Sequence, residues 1–100
     1  MSVLDFSNVE MKKDKDHTGH RTIVVEGKRF EIVEYEEDAY RPDWCSTGHV
    51  GFVVQGEIMY ELEKGSMRIR AGNGFFIPPS VKHRGRNIYA GVTRFFLMDE

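Results

Sequence analysis

The dense spacing of turn-forming residues is the feature that most constrains how this chain can fold. From residue 20 onward, glycine, proline or an Asn-Gly pair interrupts the chain about every 8–12 residues. Between these breaks apolar and polar residues alternate, as Ile58, Tyr60 and Leu62 do with the residues between them. No ten-residue stretch shows the period of an amphipathic helix. The pattern predicts an all-β fold of short antiparallel strands, either a sandwich or a small barrel.

The breaks also predict where the strands lie. The predicted strands cover residues 22–25, 30–35, 49–54, 58–62, 67–70, 75–77, 81–89 and 92–98. Tight connections such as residues 71–74 favour antiparallel hairpins, because Gly and Asn tolerate positive φ. The polar residues 1–19 are predicted to form a flexible or loosely docked N-terminal arm. Residues 20–100 are predicted to form a single domain.

Composition excludes several classes of function. The 100 residues carry a net charge of −2 with a pI of about 6.1, so no basic excess favours nucleic acid. No apolar run reaches the ~18 residues of a membrane helix, and the N-terminus lacks the apolar centre of a secretory signal. The single cysteine, Cys45, excludes an internal disulfide and fits a reducing compartment. We expect a cytoplasmic protein that binds neither nucleic acid nor membrane.

The predicted strand 49–54 is apolar on both faces. Val50, Phe52 and Val54 share one face, and Val53 lies on the other. A strand of this kind is normally covered on both sides, and a small barrel has no helix for that purpose. We expect a second subunit to cover the outer face, which predicts a homodimer. The N-terminal arm is the alternative cover.

Two segments, residues 41–49 and 72–87, collect the side chains that bind metals or carry chemistry. In the second segment five residues fall at fixed spacings: Gly72, Pro78, Ser80, His83 and Asn87. The spacing resembles the second motif of the cupin superfamily, which has Gly, Pro, Gly, His and Asn in this order. Only Ser80, in place of the second glycine, departs from that motif.

Strand alternation sorts the side chains around His83. It predicts that His83 points inward together with Val81, Gly85 and Asn87. The two arginines between them, Arg84 and Arg86, then point outward, so the basic run 82–86 is divided between two faces. This division argues against a nucleic-acid site.

The first segment resembles a degenerate form of the first cupin motif. That motif reads Gly, five residues, His-x-His, three or four residues, Glu, six residues, Gly. When the pattern is anchored on Gly56, its glutamate position is His49 and its two histidine positions are Asp43 and Cys45. The first glycine of the motif corresponds to Glu37 and is missing. Each replaced ligand position nevertheless holds a metal-binding residue type.

The same tract is similar to a subgroup of small single-domain cupins named for a motif of Asp, His, Cys and Trp. The chain keeps a Trp44-Cys45 pair and a Gly48-His49 pair, but it has Asp43 where the subgroup has histidine. The resemblance to cupins covers roughly residues 30–98. It implies a cupin-type antiparallel β-barrel (a jelly roll) whose interior holds a metal or a small ligand.

The resemblance also implies a ligand set. Carried over by position, the metal ligands are Asp43, Cys45, His49 and His83. One carboxylate, one thiolate and two imidazoles favour zinc, with iron, nickel or copper as alternatives. We therefore expect a cupin that binds a divalent metal and has unidentified small-molecule chemistry. The alternative is a non-catalytic ligand-binding or structural cupin.

Each of these residues also has a simpler explanation. Cys45 could be a small buried hydrophobe, Asp43 a turn residue, and the two histidines ordinary core residues. Gly51 and Gly85 are expected to leave space beside the metal, in a small and largely apolar pocket. No further acid–base residue is evident on an inward face, which weakens a hydrolase or isomerase assignment. The histidines of the arm, at positions 17 and 20, are expected to be solvated.

Overall fold

The alternating segments of the sequence form strands in the computed structural model, which describes residues 2–99. Each predicted strand is present within a few residues of its predicted ends. A 3-10 helix, Phe6–Asn8, precedes the strands, which are β1 (Lys12–Lys13), β2 (Thr18–Val25), β3 (Lys28–Tyr35), β4 (His49–Gln55), β5 (Glu57–Leu62), β6 (Gly65–Arg70), β7 (Gly74–Ile77), β8 (His83–Asn87) and β9 (Thr93–Asp99). In this part of the chain no helix has the length and apolar character needed to cross a membrane.

The strands pair into two antiparallel sheets. The larger sheet has the order β1-β2-β3-β9-β4-β7, and the smaller one has the order β6-β5-β8. Strand β9 lies between β3 and β4 and is hydrogen-bonded to both, although β9 is distant from them in sequence. The two sheets form the antiparallel barrel of a jelly roll, and the predicted all-β fold class is confirmed.

The inward faces of both sheets supply the core. Each fully buried apolar side chain contributes about 1.5–3 kcal/mol to folding. Aromatic rings form a connected series, in which Phe95 contacts Tyr35 and Phe75 and the latter contacts Tyr60, with centroids 5.3–6.2 Å apart. The buried hydrophobic residues are Val33, Tyr35, Ala39, Val53, Ile58, Tyr60, Ile69, Phe75, Ile77, Phe95 and Leu97.

Asn87, the last residue of the second motif, is a structural hub. Its side chain is buried, and the two hydrogens of Nδ2 are shared among the backbone oxygens of Tyr35, Glu36 and Gly91, which lie 3.1, 2.9 and 2.8 Å from the nitrogen. Its Oδ1 accepts a hydrogen bond from the hydroxyl of Thr93 at 2.7 Å. Asn87 therefore links β8 to the C-terminal end of β3 and to the turn before β9.

The N-terminal segment makes defined contacts with the larger sheet. Strand β1 pairs with the beginning of β2, which starts at Thr18. The ring of Phe6 meets Phe96 edge-on at 6.4 Å, and Phe96 stacks on Phe30 at 6.3 Å. Phe6 thus covers part of the outer face at β3 and β9, whereas β1 extends the edge of the larger sheet beside β2. The division of the chain into an arm (1–19) and a domain stays a prediction.

The outer face of β4 remains exposed. Val53 is fully buried, whereas Val50, Phe52 and Val54 are 37%, 45% and 51% exposed, and Phe76 on β7 is 56% exposed. Phe52 is the cross-strand neighbour of Phe96, so these side chains continue the face that Phe6 covers. The N-terminal segment covers one half of this face and leaves the other half open.

Candidate functional site

Three side chains with metal-binding atoms meet inside the barrel. Cys45, His49 and His83 each offer one ligand atom, and these atoms lie within 4.8 Å of one another. His49 begins β4 in the larger sheet, His83 begins β8 in the smaller one, and Cys45 lies in the loop before β4. Metal bonds of about 2.0–2.3 Å place two ligand atoms of one ion no more than about 4.6 Å apart, so the three atoms are close to the separation that a single ion requires.

Backbone hydrogen bonds set two of these residues side by side. The N–H of Cys45 donates to the carbonyl of His83, and the N–H of His83 donates to the carbonyl of Cys45, both at 2.9 Å. His83 Nδ1 lies 2.9 Å from the carbonyl oxygen of Val81. Because a carbonyl can only accept, Nδ1 carries the proton and Nε2 keeps the lone pair that a metal needs.

The other imidazole, His49, is buried, and its surroundings disfavour the protonated form. Burial, and then the neighbouring His83, lower the pKa of His49 and outweigh the opposing effect of Asp99. His49 Nδ1 lies 3.2 Å from Asp99 Oδ1, but the direction is not that of a hydrogen bond. Within residues 2–99 this nitrogen is a buried polar atom without a hydrogen-bond partner. A neutral imidazole is the form that binds metals.

The structure does not bring the fourth predicted ligand to this group. Asp43 lines the cavity beside the group, but its side chain is exposed and its carboxylate is not among the clustered ligand atoms. Val81 was predicted to point inward, but it precedes β8 and is exposed. The inward positions of His83, Gly85 and Asn87 agree with the sequence prediction.

A cavity of about 700 Å³ adjoins the three residues. The prediction of a largely apolar pocket is wrong. Tyr60, Val33 and Phe95 supply an apolar floor, but charged side chains form much of the wall. These charged residues are Lys13, Asp14, Lys15, Asp16, Arg29, Glu31, Arg41, Asp43 and Asp99.

The two inward glycines do not leave open space for a ligand. A Cβ on Gly51 would lie 2.3 Å from the ring of Phe75, and a Cβ on Gly85 would lie 2.7 Å from the hydroxyl of Tyr35. The absence of a side chain is therefore used for close packing of aromatic rings. The expectation of free space beside the metal at these two positions is wrong.

Glu31 is a cavity residue that sequence reasoning missed. It lies on the inner face of β3 together with Val33 and Tyr35, and its side chain is only 10% exposed. Its Oε2 accepts hydrogen bonds from the Thr22 hydroxyl at 2.9 Å and from Arg29 at 3.4 Å, whereas Oε1 accepts none from residues 2–99. The expectation that no inward acid–base residue exists was therefore wrong. The sequence does contain a signal for this position. Glu31 precedes Val33 and Tyr35 by two and four residues, so strand alternation places all three side chains on the same face.

Residues of the N-terminal segment close one side of the cavity. Arg41 bonds Asp16 through Nε at 3.1 Å and Asp14 through Nη2 at 3.2 Å, and His20 Nδ1 lies 3.2 Å from the same Asp14 oxygen. Burial alone would raise the pKa of Asp16, but hydrogen bonds from Thr18 and Arg41 lower it overall. His20 is thus partly buried in a charged cluster, whereas His17, the other histidine of the segment, is exposed.

The sequence itself fits an established family. The family model described as the cupin domain matches residues 32–99. The chain belongs to the cupin family. The match confirms the resemblance drawn from the two motifs, and it does not separate the Asp-His-Cys-Trp subgroup from other cupins, so that finer assignment stays a prediction. No protein in the curated set matches this cupin by sequence.

Solved structures show the same fold. The cupin domain of Cnp3 from Schizosaccharomyces pombe superimposes with a TM-score of 0.81 at 15% identity, over 95% of this chain and 70% of that one. An RmlC-like cupin from Shewanella frigidimarina gives 0.78 at 17% identity, over 99% and 91%. The iron(II) form of HppE gives 0.80 at 16% identity, over all of this chain and 60% of that one. At these identities the likeness shows the fold alone.

Proposed function

We propose that this cupin binds one divalent transition metal through Cys45, His49 and His83 and acts on a small molecule held in the adjoining cavity. The observation that carries the proposal is the convergence of three ligand atoms within 4.8 Å at the cavity wall. Structural zinc sites use four protein ligands, whereas catalytic sites use three and keep a position open for water or substrate. A set of three ligands without Asp43 favours the second class.

The donor types guide the choice of metal. A thiolate with two imidazoles suits zinc best, and iron, nickel and copper also accept this set. The structural relative HppE in its iron(II) form supports iron as the leading alternative. When bound, the metal supplies a Lewis acid that polarises an oxygen atom of the ligand.

Two further side chains give the cavity a hydrogen-bond acceptor and a hydrogen-bond donor. Within residues 2–99 Oε1 of Glu31 has no partner, so it is placed to accept a hydrogen bond or a proton from a hydroxyl or amine of the ligand. Burial raises the pKa of Tyr60 well above its usual value, so its hydroxyl stays protonated beside His83. An acceptor and a donor in one cavity orient a small polar ligand beside the three metal-binding residues.

Metal content of tag-free protein, measured by elemental mass spectrometry, tests the proposal first. We expect about one equivalent per chain in the wild type and in His17→Ala, an exposed-histidine control, but not in His83→Ala. Adding azide to the cobalt-substituted wild type should then shift its visible bands, because an open position accepts the anion. Metal uptake without this shift indicates a closed structural site, and a protein that refuses metal disproves the proposal.

We also propose that the exposed half of the outer face pairs with a second copy of the chain. Val50, Phe52, Val54 and Phe76 form an uncharged apolar strip, and no segment of residues 2–99 covers it. Strand β7 is the edge of the larger sheet beside this strip. A two-fold axis at that edge would bury the strips of both copies against each other.

Sedimentation equilibrium tests the homodimer. The wild type and Val24→Glu, a control at an exposed valine on β2, should both sediment as dimers, whereas Phe52→Glu should be monomeric. A monomeric wild type at micromolar concentration would disprove the dimer. A cytoplasmic location, and the absence of nucleic-acid and membrane partners, stay predictions from composition.

A further inference from the structure

Two arginines of β8 point away from the core, and each stacks on an aromatic ring of the segment before β4. The guanidinium of Arg84 lies over the ring of Trp44 at 4.2 Å from its centroid, and that of Arg86 lies over Tyr40 at 4.1 Å. Glu61 on β5 pairs with both arginines, at 3.3 and 3.8 Å. Trp44 precedes Cys45 in sequence, and Arg84 follows His83, so the stack lies directly behind two of the three metal-binding residues.

The loop that carries Cys45 is held to the barrel at a few separate points. Residues 42–44 and 46–47 are exposed. Backbone hydrogen bonds join the loop to β8 at Arg41 and Cys45, and a third point of attachment is the bond from the N–H of Ser80 to the carbonyl of Ser46. Arg84 adds a hydrogen bond from Nη1 to the carbonyl of Pro42 at 3.4 Å. A segment with exposed residues and few buried contacts opens easily. The position of the Cys45 thiol therefore depends on what holds this loop to β8.

The stack is the main contact of the Arg84 side chain with the loop. Nε of Arg84 is buried and has no hydrogen-bond partner within residues 2–99. A planar guanidinium can lie flat on an indole ring and still use its terminal nitrogens, which a lysine ammonium cannot do. Arg84 thus reaches Trp44, Pro42 and Glu61 at once.

We infer that Arg84 is a positioning residue which, through its stack on Trp44, holds the thiol of Cys45 beside His49 and His83. The inference rests on the proposed metal site and assigns a function to the outward arginine next to His83. Loss of the stack should release the loop, so that the thiolate no longer reaches the metal while the two strand-borne imidazoles remain in place.

Cobalt(II) titration of the full chain tests this inference, because a thiolate ligand adds a near-ultraviolet charge-transfer band that imidazoles do not produce. Arg84→Ala and Arg84→Lys should lose most of this band and bind cobalt about 10-fold more weakly, as supporting residues of metal sites typically do. Trp44→Phe should keep the band, since a smaller ring still stacks. Arg68→Ala is the matched control, because Arg68 is also an arginine of the smaller sheet paired with one carboxylate, at 3.2 Å.

The outcomes separate this inference from the proposed function. A wild type that takes up no cobalt overturns both. Normal uptake by the wild type, with the same band and affinity in Arg84→Ala as in Arg68→Ala, overturns the role of Arg84 alone. Circular dichroism identifies a variant that fails to fold, and in that case the conservative pair Arg84→Lys and Trp44→Phe decides the question.

Discussion

Cys45 and His83 are bridged by two backbone hydrogen bonds, yet different kinds of structure hold them. His83 is 2% exposed and begins a strand that pairs with β5 along its length. Cys45 lies in a loop whose neighbouring residues are exposed, and an isolated bridge and a surface stack hold it. One ligand is fixed by a cooperative ladder, whereas the other is fixed by a few separate contacts.

The difference predicts unequal consequences of substitution in the two segments. In the strand, a change of residue disturbs the β-ladder, the hydrogen bonds of Asn87 and the core together. In the loop, a change disturbs local contacts only. Substitutions in the strand should therefore cost fold and site together, whereas those in the loop should cost the site alone.

The largest effect should come from His83→Ala. Removing one of three ligands should weaken zinc binding at least about 100-fold, measured by competition with a chromophoric chelator. His17→Ala should bind like the wild type, because His17 is exposed and far from the group in sequence. Affinity of His83→Ala within threefold of the wild type would place the metal elsewhere.

Asn87→Ala tests the strand as a part of the fold. The change leaves buried backbone carbonyls without a donor, and it should lower the free energy of unfolding by about 3 kcal/mol. Thermal unfolding should show a midpoint about 12–24 °C lower. Asn73→Ala, in an exposed turn, should change the midpoint little. An equal effect of both variants would contradict the assignment of Asn87 as a hub.

Cys45→Ala tests the loop. We expect zinc affinity to fall about 10-fold and the charge-transfer band of the cobalt form to disappear. The unfolding midpoint of the metal-free protein should stay close to that of the wild type, because Cys45 lies outside the strands and the apolar core. A large loss of stability would show that the loop contributes to the fold as the strand does.

Ser80→Gly should stabilise the protein by about 1 kcal/mol, measured by denaturant unfolding. Ser80 stands where the cupin motif has glycine and adopts a φ of 75°, in the left-handed region. Ser66→Gly is the control, because Ser66 lies within β6 without a positive φ, and there glycine should destabilise slightly. The same sign for both variants would contradict this explanation.

The smallest effect should come from Asp43→Asn. Its carboxylate lies outside the group of clustered ligand atoms, so zinc affinity should change less than about twofold. A loss of more than tenfold would show that the loop moves to supply a fourth ligand, and would turn the open site into a closed one.

Local properties of the sequence were enough for the strands and much of the site. Alternation of side chains in β3 to β9, and the turns between them, depends on neighbours along the chain, so the strands agree with their predictions. The motif spacing identified three residues that the structure brings together: Cys45, His49 and His83. Motif spacing could not separate Asp43 from them, because a loop residue is oriented by contacts that the spacing does not encode.

The sequence by itself determined the fold class, the cupin family and the residue types at the site, since turn chemistry, strand period and motif spacing are written along the chain. The tertiary structure alone decided which of those residues meet. It placed Glu31 in the cavity, filled the space beside Gly51 and Gly85 with aromatic rings, and closed one wall with Arg41, Asp14 and Asp16. The physical reason is that these features depend on packing between segments that are distant in sequence, and only the folded barrel brings those segments together.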